Sequence, residues 1–160
     1  MLNDGRIVMS KTLSPETLVM QASAVAIEGR ALLIEGEPGS GKSSLTLALI
    51  ERGAQLIGDD GVTLTRVETD KDPQIIASPP PNIEGLIEVR GVGLARFPVA
   101  PPCPVALILQ LTDMSERLPD LADTSAILGC NIPALPFTPG TIAPAQRARI
   151  ALEIHGIFDV

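Results

Sequence analysis

Apolar positions in this chain fall into short runs bounded by glycine, proline and charge, and the runs predict more strands than helices. From Val19 to Ile27, Val19, Ala22, Ala24 and Ala26 alternate with Val25 and Ile27, which predicts one strand. Glu28-Gly29-Arg30 then turns the chain into Ala31 to Ile34, an apolar run suited to a buried strand. Gly41 to Arg52 carries Leu45, Leu47, Ala48, Leu49 and Ile50 with Gly53 just past its end, the pattern of a helix with a glycine stop. Brief strands are predicted over Gln55 to Gly58, Val62 to Val67 and Gln74 to Ala77. Leu86 to Val89 and Val92 to Phe97 flank a Gly91-Val92-Gly93 bend. Val105 to Leu111 is the most hydrophobic run and predicts a central strand. Ala143 to Ile154 predicts a C-terminal helix, with His155 at its end as a surface residue.

Several strands are adjacent in sequence, so the pattern departs from strict strand–helix alternation. It predicts an α/β fold built on a mixed sheet rather than a doubly wound parallel one. No repeat is present. Prolines cluster at Pro79-Pro80-Pro81, Pro98 to Pro104 and Pro133 to Pro144, where they are expected to punctuate elements rather than separate domains.

Composition narrows the function. A length of 160 residues fits one domain, 1–160, and a hydrophobic fraction of 45% allows a sizeable core. No apolar run reaches bilayer length, and the N-terminus lacks a basic segment followed by an apolar one. A cytoplasmic protein without a membrane partner is expected. A net charge of −7 argues against a nucleic-acid groove, which needs excess Lys and Arg. It leaves room for a nucleotide, because a few N–H groups, one Lys and a metal ion can hold triphosphate in an acidic protein. Cys103 and Cys130 have neither metal-site nor redox-motif spacing and are expected to be reduced, buried thiols.

The chemistry is concentrated in Gly36-Glu37-Pro38-Gly39-Ser40-Gly41-Lys42-Ser43, followed by Ser44, which matches the phosphate-loop pattern G-x-x-x-x-G-K-[ST]. A predicted strand enters it and a predicted helix leaves it. Glycines let successive N–H groups face one centre, and the helix adds the positive end of its dipole. Lys42 would reach the β and γ phosphates, and Ser43 would offer its hydroxyl to Mg²⁺. Asp59-Asp60 follows the next strand, where such proteins place metal-facing carboxylates. Adjacent carboxylates on an extended backbone point apart, so one would face Mg²⁺ and the other the nucleophile. None of Asn3, Asn82 and Asn131 begins the guanine-specifying Asn-Lys-x-Asp motif, and no Arg-rich lid segment is present, so a GTPase and a lidded small-molecule kinase are both disfavoured.

Three segments together resemble the catalytic domain of HPr kinase/phosphorylase, in the short form lacking an N-terminal regulatory domain. The first runs from the phosphate loop through Arg52-Gly53-Ala54-Gln55-Leu56-Ile57-Gly58-Asp59-Asp60. The second, Leu86-Ile87-Glu88-Val89-Arg90-Gly91-Val92-Gly93, is similar to the family signature Leu-Glu-Ile-Arg-Gly-Leu-Gly. The third is Glu116-Arg117-Leu118, like the family's Asp-Arg-Leu. The resemblance implies a fold akin to phosphoenolpyruvate carboxykinase, and a kinase that uses ATP and Mg²⁺ to phosphorylate a serine of an HPr-like phosphocarrier protein. It also implies a homo-oligomer, commonly a hexamer. Carried over by position, the proton acceptor falls on Asp60, metal contacts on Ser43, Asp59 and Glu88, and a catalytic Arg on Arg117. Two positions depart from the family. Its His on the strand before the phosphate loop is Gln21 here, and Gln cannot relay a proton near pH 7. Its Val-Arg-Pro-Gly-Arg-Asn loop reads Phe137-Thr138-Pro139-Gly140-Thr141-Ile142, without either Arg. Reduced or absent phosphorylase activity is expected. The alternatives are an ATP-binding sensor or interaction module with little catalysis, and a P-loop kinase or ATPase with another substrate.

Overall fold

The structure, a computed structural model, describes residues 10–14, 16–114 and 122–158. In chain order its elements are β1 (Ser10–Ser14), β2 (Thr17–Met20), β3 (Ser23–Ile27), β4 (Arg30–Glu35), α1 (Lys42–Glu51), β5 (Gln55–Gly58), β6 (Val62–Val67) and β7 (Gln74–Ser78). There follow β8 (Leu86–Val89), β9 (Gly93–Arg96), β10 (Cys103–Leu111), β11 (Asp123–Ile127), β12 (Cys130–Phe137) and α2 (Pro144–His155). No helix among the described residues is long and apolar enough to cross a membrane.

The sheet is mixed, as the sequence predicts. Its main path runs β1-β2-β6-β7-β10-β4-β3-β5. The most hydrophobic strand, β10, lies at its centre. It runs parallel to β4 along one edge; on the other it meets β7 at Cys103 and Pro104, then β12 from Ile108 onward. β10 is thus a fork at which two parts of the sheet diverge. A cavity of about 500 Å³, lined by Gln74, Ile75, Val105, Asn131 and Ile132 among others, lies in that fork.

Side-chain alternation explains why the middle strands read as unbroken apolar runs. In β4, Ala31 and Leu33 face one core while Leu32 and Ile34 face another; β3 divides Ala24 and Ala26 from Val25 and Ile27 in the same way. One core is shared with β2, β6 and β7, and the other is covered by α1 and α2. A strand buried on both faces has no polar positions to show. β2 and β6, covered on one face along most of their length, alternate buried and half-exposed residues. Cys103 and Cys130 are free and buried, and desolvation pushes the Cys103 thiol up to about 11.

The helix after the phosphate loop ends where its glycine predicts. Gly53 is left-handed at φ +102°, with its N–H on Ile50 O and the Ala54 N–H on Leu49 O, the paired bonds of a Schellman stop.

Two expectations are corrected. The strand predicted from Val19 to Ile27 is two strands, because β2 pairs with β6 whereas β3 pairs with β4 and β5, and the chain breaks at Gln21-Ala22 between them. The proline cluster from Pro133 is not only punctuation: β12 runs through Pro133 and Pro136. It tolerates them because its partners are staggered. Residues 130–134 pair with β11 and 134–137 with β10, so each proline has one flank where a missing N–H costs nothing.

Candidate functional site

The segment 36–43 is curled by its glycines. Gly39 at φ +83° and Gly41 at φ +102° occupy backbone conformations that side chains disfavour. Gly36 is required for space: a Cβ there would lie 2.4 Å from Ser40 Oγ and 3.1 Å from Leu111 Cβ. The Ser40 N–H donates to Glu37 O at 3.0 Å and closes the curl. α1 begins at Lys42 with Gly41 as its N-cap, and no side chain caps it. Its first N–H groups therefore remain available to an anion.

Lys42 is buried, and its Nζ donates to Gly36 O at 2.7 Å, folding the ammonium back across the loop. Ser40 Oγ is buried and is the side-chain polar atom left without a hydrogen-bond partner among the described residues. An orphaned hydroxyl beside uncapped helix N–H groups and a buried ammonium fits a phosphate oxygen as its missing partner.

Across from this loop, β5 ends in a second crowded turn. A Cβ on Gly58 would lie 2.1 Å from Gly61 O and 3.1 Å from Pro80 Cδ. Within the turn Asp60 is held at φ +58°, an unusual conformation for a residue other than glycine. Asp59 is half-buried and Asp60 exposed. The Ser43 hydroxyl donates to the Asp59 carboxylate at 2.9 Å to Oδ1 and 3.1 Å to Oδ2. Ser23 Oγ also donates to Asp59 Oδ1, at 2.9 Å, and accepts the Asp60 N–H at 3.2 Å. Three elements thus meet at one carboxylate: β3 through Ser23, α1 through Ser43, and the turn after β5. The donor set is all oxygen and includes a carboxylate, which suits Mg²⁺. Among the described residues there is no group of three or more His, Cys, Asp or Glu side chains that could hold a metal by themselves.

Of the other predicted positions, Gln21 is exposed in the break between β2 and β3, two residues before Ser23. Glu88 is exposed on β8, in the separate β8–β9 hairpin whose Ile87 is buried. β8 lies against α1, but the bonds that join Ser43 to Asp59 do not include Glu88. Ser44 is exposed on the first turn of α1. Arg117 lies outside the described residues. An open cleft of about 370 Å³, lined by Pro80, Asn82, Ile83, Glu84, Leu86 and Arg96, adjoins the acidic turn through Pro80.

Sequence reasoning missed Ser23 and Pro80. Ser23 is fully buried, and a lone hydroxyl within an otherwise apolar strand was the signal that could have found it. Pro80 looked like loop punctuation, and its contact with Gly58 and Gly61 depends on a distant pairing of β6 with β7.

Comparisons with known proteins show what this chain is similar to. The family model described as HPr Serine kinase C-terminal domain matches residues 11–143. The HPr kinase/phosphorylase of Burkholderia lata is 32% identical over 161 aligned positions, covering 94% of this chain and 47% of that protein. That of Burkholderia cenocepacia has the same identity and coverage. The chain therefore spans about half the length of the curated relatives it matches. A solved structure described as the Hpr(Ser) kinase/phosphatase from Coxiella burnetii is 29% identical with a TM-score of 0.67, covering 84% of this chain and 88% of that one.

Proposed function

Because this chain belongs to the HPr serine kinase C-terminal domain family, we propose that it transfers the γ-phosphoryl group of ATP, with Mg²⁺, to a serine of an HPr-like phosphocarrier protein. The observation that carries this reading is the bond between Ser43 and Asp59 beside the curled loop. It brings a phosphate cradle and an oxygen donor pair for a hard cation to one place.

In this reading the N–H groups at the start of α1, Ser40 Oγ and Lys42 hold the polyphosphate. Ser43 and Asp59 would hold Mg²⁺, joined by Glu88 from the hairpin. Bound there, the ion would neutralise charge on the β and γ oxygens. Ser23 fixes the Asp59 carboxylate through one bond and the Asp60 backbone through another, so Asp60 projects outward where a substrate hydroxyl approaches. Phosphoryl transfer is loose, so positioning and charge neutralisation dominate, and Asp60 takes the serine proton late. Arg117 would add positive charge to the transferring group. The cleft beside Pro80 gives a protein loop a route to the acidic turn. A homo-oligomer, hexameric by family resemblance, accords with Ile150 and Ile154, which are exposed four residues apart on α2.

Phosphorolysis by this chain is proposed to be weak or absent. Gln21 offers no titrating group, and the loop after β12 carries no Arg to bind inorganic phosphate. The same Gln21 favours a second reading, an ATP-binding sensor with little transfer.

Incubation with labelled Mg-ATP and the host's HPr-like protein, followed by mapping of the modified residue, tests the proposal. Label on one serine is expected, lost in Lys42→Ala. Tight ATP binding without transfer selects the sensor, and label on an unrelated product selects a kinase for another substrate. Absence of ATP affinity when Mg²⁺ is supplied defeats all three.

A further inference from the structure

α2 carries an arginine whose three guanidinium nitrogens all donate to one loop. Arg147 Nε donates to Ile142 O at 2.9 Å, Nη1 to Thr138 O at 3.0 Å, and Nη2 to Pro139 O. Its guanidinium carbon lies 4.9 Å from the centre of the Phe137 ring. One side chain thus bonds three carbonyls that lie beyond the end of β12.

That loop is a wall of the phosphate turn. Pro139 Cγ comes within 3.8 Å of the position a Cβ would take on Gly41. Its root is fixed as well, since Phe137 O accepts the Thr112 N–H at 3.0 Å, one residue beyond the Leu111 that packs under Gly36. From α2, Arg147 therefore sets where the Pro139 ring stands against the residue that caps α1.

We propose that Arg147 is a positioning residue for the polyphosphate: it clamps residues 138–142 so that Pro139 walls the cradle at Gly41 and keeps water from its flank. The proposal rests on the nucleotide reading above. A shielded flank strengthens every charge interaction inside the cradle. A lysine keeps the charge but cannot reach three carbonyls from one planar fork, so Arg147→Lys is expected to behave nearly as Arg147→Ala.

The test measures affinity for Mg-ATP and for pyrophosphate alone, with hydrogen exchange of amides 140–142 and the thermal midpoint alongside. Arg147→Ala and Arg147→Lys are expected to weaken both ligands by about tenfold and to speed exchange in the loop. Pro139→Ala, which leaves the helix and the clamp in place, is expected to move affinity in the same direction. Arg149→Lys, on the same helix, is expected to match the parent. Equal loss for ATP and pyrophosphate locates the effect at the phosphates, and an unchanged thermal midpoint separates it from a general loosening of the fold, which would weaken both ligands alike. If the parent binds Mg-ATP and the Arg147 and Pro139 variants bind equally well, the inference falls while the nucleotide reading stands. If the parent binds neither ligand, both fall. Unchanged loop exchange in Arg147→Ala also overturns the clamp.

Discussion

The phosphate turn at 36–43 and the hairpin bend at 89–93 are both punctuated by glycine, yet glycine answers a different need in each. In the phosphate turn it is partly crowding: Gly36 has Ser40 and Leu111 where a side chain would stand. The acidic turn bonded to it is crowded too, with Gly58 pressed on Gly61 O and Pro80. In the hairpin, Gly91 at φ +80° and Gly93 at φ +142° have nothing within 4 Å of a would-be Cβ, and only backbone conformation asks for glycine. Val92 and Leu94 beside them are 85% and 72% exposed. The first pair of turns is packed in advance, as the proposed polyphosphate reading requires. The second keeps its apolar surface open.

This contrast ranks the outcomes of substitution. Asp60→Asn, at the outward end of the braced turn, is expected to lower turnover by about 10²–10⁴-fold with ATP affinity retained, read from phosphoprotein formation against nucleotide titration. A parallel loss of affinity would mean that Asp60 holds the turn together rather than receiving a proton. Gly58→Ala is expected to cost about 1–3 kcal/mol of stability, measured by denaturant midpoint, because backbone and a proline ring must move. Ser23→Ala is expected to cost about 1–2 kcal/mol, since it removes a donor to Asp59 and leaves the Asp60 N–H without its acceptor. At the hairpin, Val92→Ser is expected to change stability by less than about 0.5 kcal/mol. A large loss there would show that the hairpin is packed in solution and erase the contrast.

What was legible in the sequence was local. The phosphate turn, α1 with its Gly53 stop, the Asp59-Asp60 turn and the β8–β9 hairpin each carry residues that their own backbone demands. β10 was legible because burial on both faces leaves Val105 to Leu109 without a polar position. The hidden features depend on partners far along the chain. Nothing near Gln21-Ala22 signals a break, because what divides β2 from β3 is the choice of β6 by one and of β4 and β5 by the other. Ser23 acquires its role only when Asp59, 36 residues on, folds against it. β11 was missed because its exposed residues give little hydrophobic signal. Arg147 carried no signal in the sequence, since its partners are carbonyls, which every sequence has and none displays.

The staggered prolines of β12 act as a ruler. Pro133 lies where only β11 is alongside, and Pro136 where only β10 is. Sliding this strand along its neighbours would set an imide nitrogen against an acceptor and turn apolar side chains to the wrong face. Two residues that elsewhere would interrupt a sheet here fix its alignment, and so determine where Phe137 leaves the strand and Pro139 comes to stand.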